Sequence, residues 1–302
     1  MSSLIINALV NFYAPLILGI LYGKIFNVSQ YTRRELSKII LYIFLPPLLF
    51  NSVYKRSSAI GIGSLIMVTT TGIVLVFILL SISYIVFRKN IEFIMTSIYA
   101  NAGYLPIPIA SLIWGNDAVS LIGFYILGAN ATVNSIIPII SSKKGLSEGL
   151  KRLKKYPPIY AILFGLFFGS LSIKLPLLIQ NPLDMLGSIA PTLALIVLGL
   201  EASTMKNLDV DGVKIFLFRQ LISGFLGIIF AYIFFRSFIV LQSKIIILEA
   251  LMPPAVTNLI LAHEYKLNAT KVARIVLTAT VLTTVFTIPF TLYIFSLLGN
   301  ST

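Results

Sequence analysis

Between Lys244 and Glu264 the chain reads KIIILEALMPPAVTNLILAHE, an apolar run of membrane length with Met252-Pro253-Pro254 at its middle. Proline has no amide hydrogen and clashes with the carbonyl four residues back, so two in succession break a spanning helix into half-helices. Broken backbone at bilayer depth survives only where it is buried in protein or lines a cavity. Glu249 and Asn258 flank the break. A Pro-Pro pair alone would equally suit a kink, but a second interrupted run, Glu92 to Trp114, carries Asn101-Ala102-Gly103-Tyr104-Leu105-Pro106-Ile107-Pro108 at its centre. Two interruptions at corresponding places in the halves of a membrane chain point to a ligand site between them.

The rest of the sequence supplies the membrane setting. Hydrophobic residues fill 58% of the 302 positions, charged residues 11%, and the mean hydropathy is +0.97. Runs of about 20 apolar residues between short polar loops predict an all-α polytopic membrane protein. Ten transmembrane helices can be drawn: 4–26, 35–54, 60–87, 92–114, 118–140, 157–173, 183–202, 213–235, 244–264 and 269–298. The net charge of +13 sits in the loops beside these spans, so it is an orientation signal and leaves no domain to grip nucleic acid. With the N-terminus outside, Arg33, Arg34, Lys38, Arg88, Lys89, Lys206, Lys214, Lys271 and the connector lysines fall inside; only Lys55, Arg56, Lys174, Arg236 and Lys244 fall outside. A multi-pass protein of the cell membrane with both termini outside is expected. Met1-Ser2-Ser3 offers no basic region for a signal peptide, and the first apolar run reads as a retained span.

Residues 1–140 form a first five-helix repeat, 141–156 a cytoplasmic basic connector, SSKKGLSEGLKRLKKY, and 157–302 a second five-helix repeat. Leu18-Gly19-Ile20-Leu21-Tyr22-Gly23 in the first half parallels Phe164-Gly165-Leu166-Phe167-Phe168-Gly169 in the second, and both are small-residue faces suited to close helix approach. Prolines recur in the second span of each half, Pro46 and Pro47 against Pro191, and the fourth span of each half is the broken one. An odd number of spans per half makes the repeats inverted, with broken helices 4 and 9 crossing near the midplane.

A half-helix that begins at a break turns free N–H groups and the positive end of its dipole into the cavity, where a carboxylate or phosphate oxygen fits. Asn101 and Asn258 add amide donors beside the two breaks, and Asn130 and Asn134 share one face of the fifth span. For each asparagine the alternative is an interhelical hydrogen bond. Glu249 lies about a turn before the second break, placed to take a proton or a cation, or else to pair with Lys244 or a basic residue on another span. Arg219 and Glu201 lie at similar depth and read as a structural ion pair; His263, the only histidine, reads as interfacial beside Glu264. Cysteine is absent, so thiolate metal sites and disulfides are excluded. No zincin motif or Gly-rich phosphate loop occurs, and a lone histidine at a membrane edge makes a catalytic triad improbable. No enzymatic activity and no cofactor are expected.

The stretch MPPAVTNLILAHEYKLNATKVARIVLTATVLTTVFTIPFTLYIF, Met252 to Phe295, resembles the C-terminal signature of the auxin efflux carrier family. Phe12-Tyr13-Ala14-Pro15-Leu16-Ile17-Leu18-Gly19, Leu45-Pro46-Pro47-Leu48-Leu49-Phe50, Ala100-Asn101 followed by Pro108, and Val197-Leu198-Gly199-Leu200 fit the same family in order. The resemblance implies ten spans in two inverted repeats, a scaffold part and a transport part, and a site where spans four and nine cross. Its members carry small organic anions: auxin in plants, dicarboxylates such as malate or malonate in bacteria. The carboxylate-contacting asparagine of the fourth span maps onto Asn101 and the crossing proline of the ninth onto Pro253. Ala100 and Pro254 depart from the plant pattern, which has proline and glutamine there, and the connector lacks the plant loop, so a short microbial-type carrier is expected.

The expectation is a secondary transporter or uniporter that moves small carboxylates by alternating access, with Asn101, Tyr104, Pro106, Asn130, Asn134, Pro253, Pro254 and Asn258 at the substrate and Glu249 at a coupling ion. A sodium- or proton-coupled carrier of the bile acid symporter type is the nearest alternative, and a non-transporting membrane receptor a further one. The partners are the bilayer and the anion; proton or sodium coupling and a homodimer stay open.

Overall fold

The computed structural model describes residues 2–56, 62–141, 154–205 and 207–298. The connector expected at 141–156 falls largely on residues 142–153, outside the described residues, as does the side chain of His263. The described chain is helical. Its elements are α1 (Ser2–Phe26), α2 (Gln30–Ile39), α3 (Leu45–Arg56), α4 (Ile62–Val86), α5 (Ile91–Ile98), α6 (Pro106–Ser141) and α7 (Pro157–Ser170). After these come α8 (Leu177–Ala202), α9 (Val210–Phe218), α10 (Gly224–Phe235), α11 (Leu241–Ala250), α12 (Thr257–Glu264), α13 (Ala269–Leu282) and α14 (Ile288–Leu298). Single π-helical turns, Ile40–Phe44, Arg219–Ser223 and Thr283–Thr287, join α2 to α3, α9 to α10 and α13 to α14.

Six of these helical stretches are long and apolar enough to cross a membrane: Gln30–Lys55, Gly63–Val86, Pro106–Ile137, Leu177–Ala202, Val210–Phe235 and Ala269–Leu297. Val10–Phe26 and Pro157–Ser170 are shorter apolar helices. The chain is an all-α polytopic membrane protein. Its outer surface agrees: Ile85, Leu178, Phe225 and Phe290 are 62–87% exposed, a lipid-facing apolar coat that water would not tolerate.

Polar side chains set several helix starts. Asn90 Oδ1 accepts from Phe93 N–H at 3.2 Å at the head of α5, and Asn268 Oδ1 from Lys271 N–H at 3.0 Å at the head of α13. Glycines set the closest helix contact. A Cβ on Gly19 of α1 would lie 2.2 Å from the Ile196 carbonyl oxygen of α8, and one on Gly199 of α8 would lie 2.1 Å from the Leu16 carbonyl oxygen. Only hydrogen lets these two backbones meet.

The two spans drawn separately from the sequence, ending at Trp114 and beginning at Ala118, are two helices within α6 that meet at Gly115, where φ 71° and ψ −157° are non-helical. The left-handed φ there suits glycine. The short helices α5 and α11 lie at the centre of the bundle. From Phe93 to Ile98, and from Ile245 to Ala250, every residue is buried. A helix apolar on all sides belongs inside, which keeps the broken backbone after each of them away from lipid.

Candidate functional site

α5 ends at Ile98 and α6 begins at Pro106; α11 ends at Ala250 and α12 begins at Thr257. The two non-helical stretches between them lie side by side. Ala100 and Pro254 form an antiparallel β-bridge; Asn101 N–H donates to the Pro253 carbonyl at 2.8 Å, and Ala255 N–H to the Tyr99 carbonyl at 2.8 Å. Breaking a helix leaves orphan donors and acceptors, and here each break satisfies the other's. Pro253 has no N–H to offer, yet its carbonyl remains an acceptor for Asn101.

On one side of this crossing lies a cavity of about 330 Å³. Its floor is the backbone from Tyr99 to Tyr104 with Ala255, Val256 and Thr257. Asn101 is 3% exposed; its Oδ1 accepts from Tyr104 N–H at 3.0 Å, while its Nδ2 has no partner among the described residues. Two amide N–H donors of this lining residue are therefore buried and unused. Tyr104 donates its hydroxyl to the Ser37 carbonyl at 2.9 Å, tying the crossing to α2. Arg34, Lys38 and Lys155 line the same cavity, bringing positive charge from α2 and from the residue before Tyr156. Lys38 also pairs with Glu35 at 2.7 Å.

The structure sorts the sequence-predicted residues into those that line the cavity and those that hold the crossing. Asn101, Tyr104, Asn130 and Asn134 line the cavity; Pro106, Pro253, Pro254 and Asn258 do not. Asn130 Nδ2 is 3.2 Å from the Tyr156 hydroxyl, and Asn134 Nδ2 is 2.8 Å from the Asn130 carbonyl and 3.3 Å from the Tyr99 hydroxyl. Both amides are thus already engaged between protein groups. Asn258 donates Nδ2 to the Tyr99 carbonyl at 3.0 Å and to the Ala255 carbonyl at 2.9 Å, so it splices the breaks together instead of offering a donor to an anion. Pro106 opens α6, where its missing N–H leaves no helical bond unmade.

Glu249 is fully buried in the last turn of α11, and neither carboxylate oxygen has a hydrogen-bond partner among the described residues. Its electrostatic neighbour is Arg219, not Lys244. The ion pair expected between Arg219 and Glu201 does not form. Glu201 meets Arg33 instead, Nε to Oε2 at 3.2 Å, because α2 packs against the end of α8. Arg219 is 1% exposed and turns to backbone: Nη1 donates to the Ser97 carbonyl at 2.6 Å, Nη2 to the Ala250 carbonyl at 3.1 Å, and Nε to the Met252 carbonyl. An arginine within a membrane span marks a special position, but carbonyl partners carry no sequence signal. The basic lining was also missed as a site feature; the charges of Arg34, Lys38 and Lys155 were visible, their convergence was not.

Residues 144–293 match the membrane transport protein family. An uncharacterized transporter of Methanothermobacter thermautotrophicus is 26% identical over 284 residues, covering 88% of this chain and 92% of the relative. An uncharacterized transporter of Methanocaldococcus jannaschii is 24% identical over 273 residues, covering 83% of this chain and 87% of the relative. Among the described residues no group of three or more His, Cys, Asp or Glu could hold a metal ion.

Proposed function

We propose that this chain, a multi-spanning member of the membrane transport protein family, carries small organic carboxylates across the cell membrane by alternating access. The observation that carries the reading is that Asn101, with a buried and unpartnered side-chain amide, lines a 330 Å³ cavity together with Arg34, Lys38 and Lys155. Cationic lining raises the local concentration of anions, and a neutral amide at the floor binds one without burying a counter-charge. A cavity of that volume lies in the range that holds a small metabolite.

The six long spans, the two shorter apolar helices and the two broken ones supply the parts of a ten-span bundle in two inverted halves, 1–140 and 157–302, joined by a cytoplasmic connector. In that arrangement both termini lie outside and the cavity, with its basic residues, faces the cytoplasm. The crossing then rocks against the remaining helices to expose the floor on the other side.

The test is counterflow in proteoliposomes, preceded by a thermal-shift screen of the purified protein against mono- and dicarboxylates. At least one acid should raise the melting temperature and exchange across the bilayer. Stabilisation with no exchange would make the protein a receptor, and no response to any acid would remove the anion reading.

Coupling to an ion is a second reading, favoured by one observation: both oxygens of Glu249 are buried beside the crossing without a hydrogen-bond partner among the described residues. A proton or a sodium ion would satisfy them. Dependence of uptake on a sodium or pH gradient, lost in Glu249→Gln, identifies that case.

A further inference from the structure

The end of a half-helix leaves orphan carbonyls and the negative end of a dipole. Two such ends, those of α5 and α11, point into the same dry interior, and unsatisfied carbonyls there would be costly. The Arg219–Ser223 π turn faces them. Besides the three carbonyls met by the Arg219 guanidinium, Gln220 Nε2 donates to the Leu251 carbonyl at 3.1 Å and Ser223 Oγ to the Ala250 carbonyl at 2.6 Å. Ser97 lies in the last turn of α5, and Ala250 and Met252 at and just past the end of α11, so one side chain, Arg219, holds both helix ends. Residues four apart share a helix face, and Arg219 and Ser223 both donate to the carbonyl of Ala250.

We propose that Arg219 is the positioning residue of the site: its planar fork locks the ends of α5 and α11 into one unit, and thereby fixes where Asn101 presents its free amide. The claim rests on the carrier reading for its transport consequence, but its structural part does not. A guanidinium suits the task because its five donors lie in a rigid plane, three of them used here on three carbonyls; an ammonium is a point charge on a flexible stem and cannot hold both ends in a fixed geometry. Arg219 also faces the buried Glu249, so a simpler role, neutralising that charge, must be separated from the fork.

Hydrogen exchange reads the geometry without any substrate. The amides of Asn101 and Ala255 donate across the crossing, and in Arg219→Lys both should lose protection by about tenfold or more while peptides of α1 and α8 keep theirs. Unchanged protection at both amides overturns the proposal. Loss throughout the bundle overturns it too, since Arg219 would then serve folding in general. Should Arg219→Lys not yield folded protein, Ser223→Ala removes one bond from the Ala250 carbonyl, and faster exchange confined to Ala255 supports the same reading. The second arm is counterflow with an acid identified on the unaltered protein. Arg219→Lys keeps the charge, and Arg219→Met combined with Glu249→Gln removes both charges; both should remain impaired by about tenfold or more if the fork matters. Recovery in either overturns the proposal in favour of charge balance. Absence of counterflow in the unaltered protein defeats the carrier reading and leaves the exchange result standing.

Discussion

The backbone N–H of Asn101 donates to the carbonyl of Pro253 at 2.8 Å, joining two breaks that lie about 150 residues apart in the chain. That bond uses the backbone of Asn101 and leaves its side-chain amide free, so the residue is held in place by one group and available through another.

Asn101→Asp tests that division. The new carboxylate keeps an acceptor for Tyr104 N–H but puts an unpaired charge at a residue 3% exposed, so the melting temperature should fall above the group's pKa, while the free donors are lost. Binding of a carboxylate should fall by at least about tenfold, measured by thermal shift or isothermal titration. Equal affinity in the variant removes Asn101 from the site.

The basic lining acts at a distance. Arg34→Gln with Lys155→Gln should slow uptake of an anion at low salt by severalfold and flatten its dependence on ionic strength, because the charges that draw the solute in, and that salt would screen, are gone. Initial rates in proteoliposomes at low and high salt decide this. An unaltered salt profile would assign those residues to lipid or orientation alone.

Arg33 and Glu201 form a largely dry pair, with side chains 10% and 12% exposed. Arg33→Ala strands the carboxylate and should destabilise the protein by roughly 3 kcal/mol. Glu201→Gln keeps an acceptor for the guanidinium and should cost less. Thermal unfolding in detergent ranks the two, and the reverse order contradicts the pairing.

The α1–α8 contact is a steric prediction. Gly19→Ala and Gly199→Ala each push a methyl into a backbone carbonyl, and each should destabilise by about 1–3 kcal/mol. The double variant should fall short of the sum, because either methyl already separates the same two helices. Full additivity would show that the helices yield independently.

Much of the fold was legible because the membrane imposes it. Length and hydropathy find the spans, and proline finds the breaks, since its missing N–H is a local fact that needs no tertiary partner. The place of Asn101 at the cavity could be read for the same reason: it stands inside a break. Asn258 stands beside the other break, but its amide faces carbonyls that only the crossing brings near, and sequence holds no trace of a carbonyl's whereabouts. Arg219 and Glu201 went wrong together. Depth in the bilayer was the only guide, and depth does not say which way around the bundle a side chain points. The spans drawn to Trp114 and from Ala118 meet at Gly115, whose non-helical backbone turns one helix into the next with no loop between them.

The wide turn at Arg219–Ser223 has an evolutionary and engineering corollary. A π turn absorbs one residue more than α-helical winding would hold, so excising a single residue such as Ile222 would let the rod wind uniformly while α9 and α10 keep their faces, with Arg219 and Ser223 then three residues apart instead of four. Arginine and serine would still share one face of the helix, but on a narrower turn from which their reach to the facing carbonyls would have to be rebuilt. A one-residue deletion there would therefore ask whether the width of the turn, and not only its side chains, keeps the two breaks together.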